Sequence, residues 1–326
     1  MNRAGAFLLA LGLVVAAAGE TSEPLRFGAP WPLGSKAMAD LQAAARRLAR
    51  QTDGRLNLRF VEQMDLGAGD ESLAGMLLAG ESLFRRSPAA RVLALPMLAG
   101  NASESAALLA GFADAMAADL DGDGWAVLAT LDLGFAYLVS MRPIARPADL
   151  ESLRFWVPAG DSDSLRVFES FGVRGVPLEA RAVRDALRTG ELDALAVPPL
   201  GAIVMQCHVE VRHVLDDPLV HLAGVAAMRR GVLERMDPTD RRLVQEELAA
   251  AFEAIAADLR RQESESLEVL ILSGVARTPV EAEEGRRAEW DAWAREVADR
   301  LVAGGHVSAD GVAQARRLRE SSPGGP

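Results

Sequence analysis

Residues Asp237 to Gly274 read DPTDRRLVQEELAAAFEAIAADLRRQESESLEVLILSG, and they decide the architecture of the chain. Asp237 suits an N-cap, Pro238 the first helical position, Asp240 completes a capping-box-like pair, and Gly274 suits the end of a helix. Leu243, Val244, Leu248, Phe252, Ile255 and Leu259 mark one face, with no Gly or Pro inside the run. One helix of about 35 residues is roughly 52 Å long, well beyond the ~30 Å of a small domain. Such a helix either bends or braces two lobes.

Working outward, 326 residues are a prior for two domains at roughly 150 residues each. Half the residues are apolar and a quarter charged, which excludes disordered and fibrous chains. A formal charge of −11 argues against a nucleic-acid partner or an anionic membrane surface. Aromatic residues are scarce, with ten Phe, five Trp and one Tyr, so their positions are informative.

Arg3 precedes an apolar run, Ala6 to Ala18, that ends in Ala16-Ala17-Ala18-Gly19. This is the pattern of a secretory signal over residues 1–19, and the run is too short for a membrane span. The expectation is an exported, periplasmic chain with its signal cleaved and no stable membrane insertion. Cys207 stands alone, which excludes an internal disulfide framework.

Short β-type runs alternate with helical patterns, which predicts an α/β fold with crossover connections. Strands are expected at Leu25 to Ala29, Leu56 to Val61, Arg91 to Leu95, Trp125 to Thr130, Tyr137 to Met141, Arg154 to Val157, Leu192 to Val197 and Leu219 to Met228. Ser35 caps a helix with Met38, Leu41, Ala45 and Leu48 on one face. Further helical stretches are expected at Asp70 to Leu78, Ser103 to Ala118, Asp163 to Phe171 and Ala182 to Thr189. A last amphipathic helix carries Trp290, Trp293, Val297 and Leu301, and the chain then ends in a loose tail over 306–326.

Two clusters invite a chemical reading. Asp119, Asp121, Asp123 and Gly124 resemble the start of a calcium loop, but its twelfth position is Thr130, so a turn is the plainer reading. His208, His213 and His221 lie near Cys207 and Asp216-Asp217, yet their spacing fits no usual zinc pair, and a buried lone Cys commonly behaves as a small hydrophobe. No metal, cofactor or catalytic residue is expected.

In the middle of the chain Arg142-Pro143-Ile144, Pro147-Ala148-Asp149-Leu150 and Leu153-Arg154-Phe155-Trp156-Val157-Pro158 follow one another, and Ala186 to Ala194 reads ALRTGELDA. This succession resembles the solute-binding proteins of tripartite ATP-independent periplasmic (TRAP) transporters of the DctP type. Thr52-Asp53-Gly54-Arg55, Leu66-Gly67, Leu95-Pro96 and Leu233 to Val244 support the resemblance, which covers roughly 25 to 280. It implies a two-lobed receptor, not an enzyme, that closes on a small solute and hands it to a permease of a small and a large subunit. It also implies a long helix spanning both lobes. The implied boundaries are 20–140 with 215–250 for the first lobe, 141–214 for the second, 237–274 for the spanning helix and 275–305 for a C-terminal helix on the lobes.

Members of that family carry an arginine on the strand after Pro-x-Asp-Leu, pairing with a substrate carboxylate as guanidinium geometry allows. The matching residue is Trp156; three other polar positions of the pattern are Ala136, Ala196 and Val197. The run from Trp156 to Asp161, with Pro198 to His208, looks like a divergent branch with Trp for Arg, associated with apolar or poorly defined ligands. An indole rewards an apolar ligand at about 25 cal/mol per Å². The expected cleft is lined by Trp156, Val197, Ile203, Met205 and Phe135, takes a hydrophobic or amphipathic molecule, and has Gln206, His208 and Asp161 as polar handles. Between Gly80 and Pro96 the chain is shorter than the family by roughly ten residues. That shortening keeps open a second function class, a receptor-derived scaffold that has lost solute binding.

Overall fold

The structure is a computed structural model that describes residues 24–62, 72–170, 172–281 and 284–322. The first half of the chain forms β1 (Leu25–Ala29), α1 (Lys36–Gln51), β2 (Leu58–Glu62), β3 (Gly75–Ala79), α2 (Glu81–Phe84), α3 (Pro88–Leu93), α4 (Ala102–Gly122), β4 (Trp125–Ser140) and β5 (Arg154–Pro158). It continues with α5 (Ser162–Ser170), β6 (Arg174–Leu178), α6 (Ala180–Thr189), β7 (Ala194–Val197), α7 (Pro199–Val204), β8 (His213–Leu215) and β9 (Val220–Arg229). The chain closes with α8 (Arg230–Glu234), α9 (Pro238–Leu272), β10 (Ala276–Thr278), α10 (Arg286–Ala303) and α11 (Ala309–Glu320).

The strands follow the order β2-β1-β3-β9-β4-β7-β5-β6, with β8 pairing β4 and β10 at the side. β1, β2 and β3 run parallel in one lobe, and β5, β6 and β7 run parallel in the other. The antiparallel pair β4 and β9 joins them. The β4/β9 register slips twice, between Val127 and Ala129 and between Asp132 and Phe135, and Gly134 sits at the second slip at φ +78°. A slip in a long strand bends it and raises its local twist. The second slip lies between the part of β4 level with the end of β3 and the part paired with β7.

The 35-residue helix α9 begins with the Asp237 side chain accepting the Thr239 amide, whereas Asp240 closes no capping box and its carboxylate binds Arg55 at 2.6 Å. Its first half packs Val244, Leu248, Phe252 and Ile255 on Phe27 and on Met38, Leu41 and Leu48 of α1. Its last turns place Leu267, Leu270 and Ile271 in the cluster that holds Ile203, Met205 and Cys207 of the second lobe. One amphipathic run thus buries a single face against two different partners along its length. Arg47 of α1 adds an ion pair to Glu247 at 2.8 Å.

Four expectations are corrected. Arg91 to Leu95 is not a strand; α3 covers Pro88–Leu93, because the Ser87 hydroxyl caps the Ala90 amide and Pro88 takes a first-turn position. Asp70 to Leu78 is not a helix over its described part, since Gly75–Ala79 is a strand of the core. A short apolar run suits either state, and here Gly75 lets β3 lie against the Phe27 ring, which a Cβ would meet at 2.1 Å. The strands expected at 125–130 and 137–141 are one strand, continuous through the slip. The loose tail expected over 306–326 contains α11, capped by Ser308 and packed on α3 and α4 through Val312 and Ala315. The expected signal at 1–19, Leu66-Gly67 and the last residues of the tail lie outside the described residues. Among the described residues no helix is long and apolar enough to cross a membrane.

Candidate functional site

Open α/β sheets bind ligands outside the carboxyl ends of their parallel strands. The registers locate those ends. Ala79, at the end of β3, pairs with Gly224, which pairs with Leu131; Val197, at the end of β7, pairs with Tyr137. The strand ends of both lobes therefore converge on Leu131 to Tyr137 of β4.

On the first-lobe side this convergence leaves a small hollow of about 60 Å³ beside Pro30, Trp31, Leu78, Leu131 and Leu133. The second-lobe side carries Trp156, Ile203 and Met205, half-buried against one apolar cluster in which Val197 and Phe135 are buried. The indole N–H of Trp156 donates to the Leu178 carbonyl at 2.8 Å, and that oxygen also accepts the Ala159 amide at 3.1 Å. Its polar atom is thus satisfied by the neighbouring strand. What Trp156 offers a ligand is ring surface.

The expected polar handles are placed differently. Asp161 accepts the Ser164 amide at 2.9 Å and its hydroxyl at 2.6 Å, capping α5. Gln206 is exposed at φ +57° and accepts from Arg184 at 2.8 Å. His208 is half-buried, and its Nδ1 is buried without a partner.

A polar knot that the sequence did not suggest lies at the crossing itself. Asp132 of β4 meets His221 Nε2 at 3.1 Å, accepts the Ser105 hydroxyl at 3.0 Å and the Gly134 amide at 2.9 Å, and has Arg260 at 3.6 Å. Glu263 of α9 accepts the Phe135 amide at 2.9 Å and the Tyr137 hydroxyl at 3.1 Å. Phe135 and His221 pair across the strands with ring centroids 5.6 Å apart. Burial pushes the Glu263 carboxyl up, only partly offset by its two donors. Burial also acts to raise Asp132, but its bonds to His221, Gly134 and Ser105 win and hold it below the usual range.

A roomier hollow, about 530 Å³, lies at the other end of the second lobe, beside Arg142, Glu151, Arg154, Arg174 and Asp193. Arg154 binds Asp193 there through its backbone amide, Nε and Nη2 at 2.9, 2.7 and 3.0 Å. That hollow opens at the amino ends of β5 and β6, away from the convergence. Strand direction, not size, makes the convergence the candidate cleft.

The acidic run beside α4 is structural. Asp119 accepts the Ser87 hydroxyl and the Ala89 amide, and Asp121 pairs with Arg230. Among the described residues no three His, Cys, Asp or Glu side chains are placed to hold a metal. Burial pushes the Cys207 thiol up to about 11, the opposite of an activated nucleophile. Sequence reading missed Trp31, although its position directly after a strand was a usable signal in a chain with five tryptophans.

Compared with known proteins, the chain matches the profile of DctP, described as bacterial extracellular solute-binding protein, family 7, over residues 27–304. A search of curated proteins finds no match. Its fold is that of solved TRAP periplasmic solute-binding proteins. One from Chromohalobacter salexigens with bound D-glucuronate superposes with a TM-score of 0.77 at 17% identity, over 90% of this chain and 99% of that one. A Bordetella pertussis extracytoplasmic solute receptor binding pyroglutamic acid gives 0.75 at 18%, over 91% and 99%. One from Desulfovibrio salexigens with bound orotic acid gives 0.73 at 18%, over 91% and 97%.

Proposed function

The chain belongs to the DctP family of bacterial extracellular solute-binding proteins, family 7, and from that premise we propose that it is an exported receptor whose cleft takes a hydrophobic or amphipathic solute. One observation carries the reading. The strand ends of both lobes converge on Leu131 to Tyr137, with Trp31 and Leu133 beside the hollow on the first-lobe side and Trp156, Ile203 and Met205 half-buried against an apolar cluster on the second-lobe side, which supports an apolar cleft. The neighbours from Chromohalobacter, Bordetella and Desulfovibrio hold glucuronate, pyroglutamic acid and orotic acid. In this chain Ala136, Trp156, Ala196 and Val197 stand where the family resemblance expects polar contacts. A carboxylate enclosed without a cationic partner costs several kcal/mol. An indole face covering about 100 Å² of apolar ligand contributes about 2.5 kcal/mol.

Binding, lobe closure and release do the work of such a receptor; a ligand shifts the open and closed forms only through its preference for one of them. The delivery partner in this reading is the two-subunit permease of a TRAP transporter, met in the periplasm. The segment between Gly80 and Pro96 favours one other reading. It is folded into α2 and α3, with Leu83, Val92 and Leu93 buried in the core. A first lobe with that wall drawn back suits a receptor-derived scaffold without a solute.

Thermal unfolding with two panels separates these readings, since a ligand that binds only the folded state raises the melting temperature by mass action. The panels are long-chain fatty acids and sterols against glucuronate, pyroglutamate and orotate. The receptor reading predicts a rise with the apolar panel alone. A rise with the acids contradicts the apolar cleft, and no rise with either supports the scaffold.

A further inference from the structure

Strands β4 and β9 and helix α9 each pass from one lobe to the other, and the polar knot ties these three together at the second slip of the β4/β9 register, between Asp132 and Phe135. Among the described residues of the knot, Glu263 is the one through which α9 grips β4 beyond that slip. It takes the amide of Phe135 and the hydroxyl of Tyr137, one residue on each side of Ala136. A Cβ added at Gly134 would meet the Glu263 carboxylate at 2.6 Å, so the carboxylate lies directly over the bend. Rotation of one lobe against the other about Asp132 to Phe135 must stretch or re-form these bonds.

We infer that Glu263 is a positioning residue of the cleft floor whose protonation sets the angle between the lobes. Hydrogen bonds to a carboxylate are stronger than bonds between neutral groups. The ionised form therefore holds Phe135 and Tyr137 to α9, and the protonated form loosens that grip. The groups facing Glu263 are Tyr137 and Asp132 from β4 and His221 from β9. Arg260 on its own helix reaches Asp132, and Asp216 and Asp217 add negative charge toward Tyr137. Burial and the Asp132 charge both raise the Glu263 carboxyl above its ordinary range, only partly offset by its bonds to Phe135 and Tyr137. This inference rests on the reading of a receptor whose lobes move, and not on the identity of its ligand.

The test uses ligand-free, full-length mature protein. The chain has one tyrosine, so protein made with 3-fluorotyrosine gives a single fluorine resonance, from Tyr137. Nitroxides on Arg46→Cys and Arg181→Cys, both at exposed positions on α1 and α6, report the distance between the lobes, while buried Cys207 stays unlabelled. As pH is lowered from about 8 to about 4, near the ordinary glutamate value, the wild type should change its ratio of inter-lobe distances roughly tenfold, the weight of one charge-assisted hydrogen bond. The fluorine shift should share that midpoint. Glu263→Gln should hold the acidic distribution at every pH. Tyr137→Phe, which keeps the charge and the fold, should show a smaller change with the midpoint retained in the distance data. A wild-type distribution that does not move with pH overturns the inference. So does a midpoint that survives in Glu263→Gln, which would assign the titration to His221 or Asp132. Either result leaves the thermal-shift test of the ligand reading untouched.

Discussion

Strand β5 has two ends two residues apart in kind. At its amino end Arg154 is locked to Asp193, and the side chain that could have met an acid is committed to the fold. At the next position on the same side stands Trp156, its one polar atom spent on Leu178 and its ring left half-exposed. The contrast teaches that a cation near a cleft is not a cation in it. The arginine-rich hollow beside Arg154 is the roomier of the two, yet it lies at the wrong end of the strands to be closed by the other lobe.

The largest effect is expected from Trp156→Arg. In the apolar-cleft reading it removes a surface worth about 2.5 kcal/mol, roughly 70-fold in affinity, and places a guanidinium where the family resemblance expects one. Calorimetry should show loss of the apolar ligand and gain of a small carboxylic acid. Unchanged binding of both would place Trp156 in the packing of the lobe only. Asp193→Ala should do the reverse, lowering stability by about 1 kcal/mol after screening of the partly exposed Arg154, with ligand affinity retained in the same titration. If affinity falls with stability, the two ends of β5 are not separable.

The pH dependence of that ion pair is a smaller test. Its hydrogen bonds to Arg154 hold the Asp193 carboxyl below the usual range. Its contribution is therefore present above about pH 4, the unfolded value, and is lost as pH falls through the depressed folded value. Urea unfolding should show this acid-side loss in wild type and a flatter slope in Asp193→Ala. The smallest effect belongs to Arg174→Ala at the rim of the same hollow, where Arg174 is exposed. Stability and affinity should both stay within about 0.5 kcal/mol. A larger loss of affinity would move the binding site to that end.

Much of the fold is local and could be read from the chain. Asp237-Pro238 and an unbroken run of 35 residues specify α9 before any contact is known. Ser35 caps α1 as its side chain suggests. Arg91 to Leu95 was harder, because a short apolar run is decided by its cap, and Ser87-Pro88 outweighed β propensity. The tail was misjudged from its last residues; Val312, Ala315 and Leu318 bury against α4 only in three dimensions. Trp156 was legible as a departure from a family pattern, whereas the exposure of its ring and the fate of its N–H were not. Asp161 and Gln206 carry polar atoms, but a cap and an arginine take them up. The knot was out of reach for a plain reason. Glu263 and Phe135 are 128 positions apart, and no spacing rule connects a helix carboxylate to a strand amide at that distance.

The central claim is an apolar cleft centred on Trp156. Mass spectrometry of the organic extract of the purified protein, beside the same extract of Trp156→Arg, addresses it most directly. The account predicts one apolar or amphipathic molecule per wild-type chain and its loss from the variant. A small polar acid in the wild-type extract, or an apolar molecule retained equally by both proteins, would contradict it.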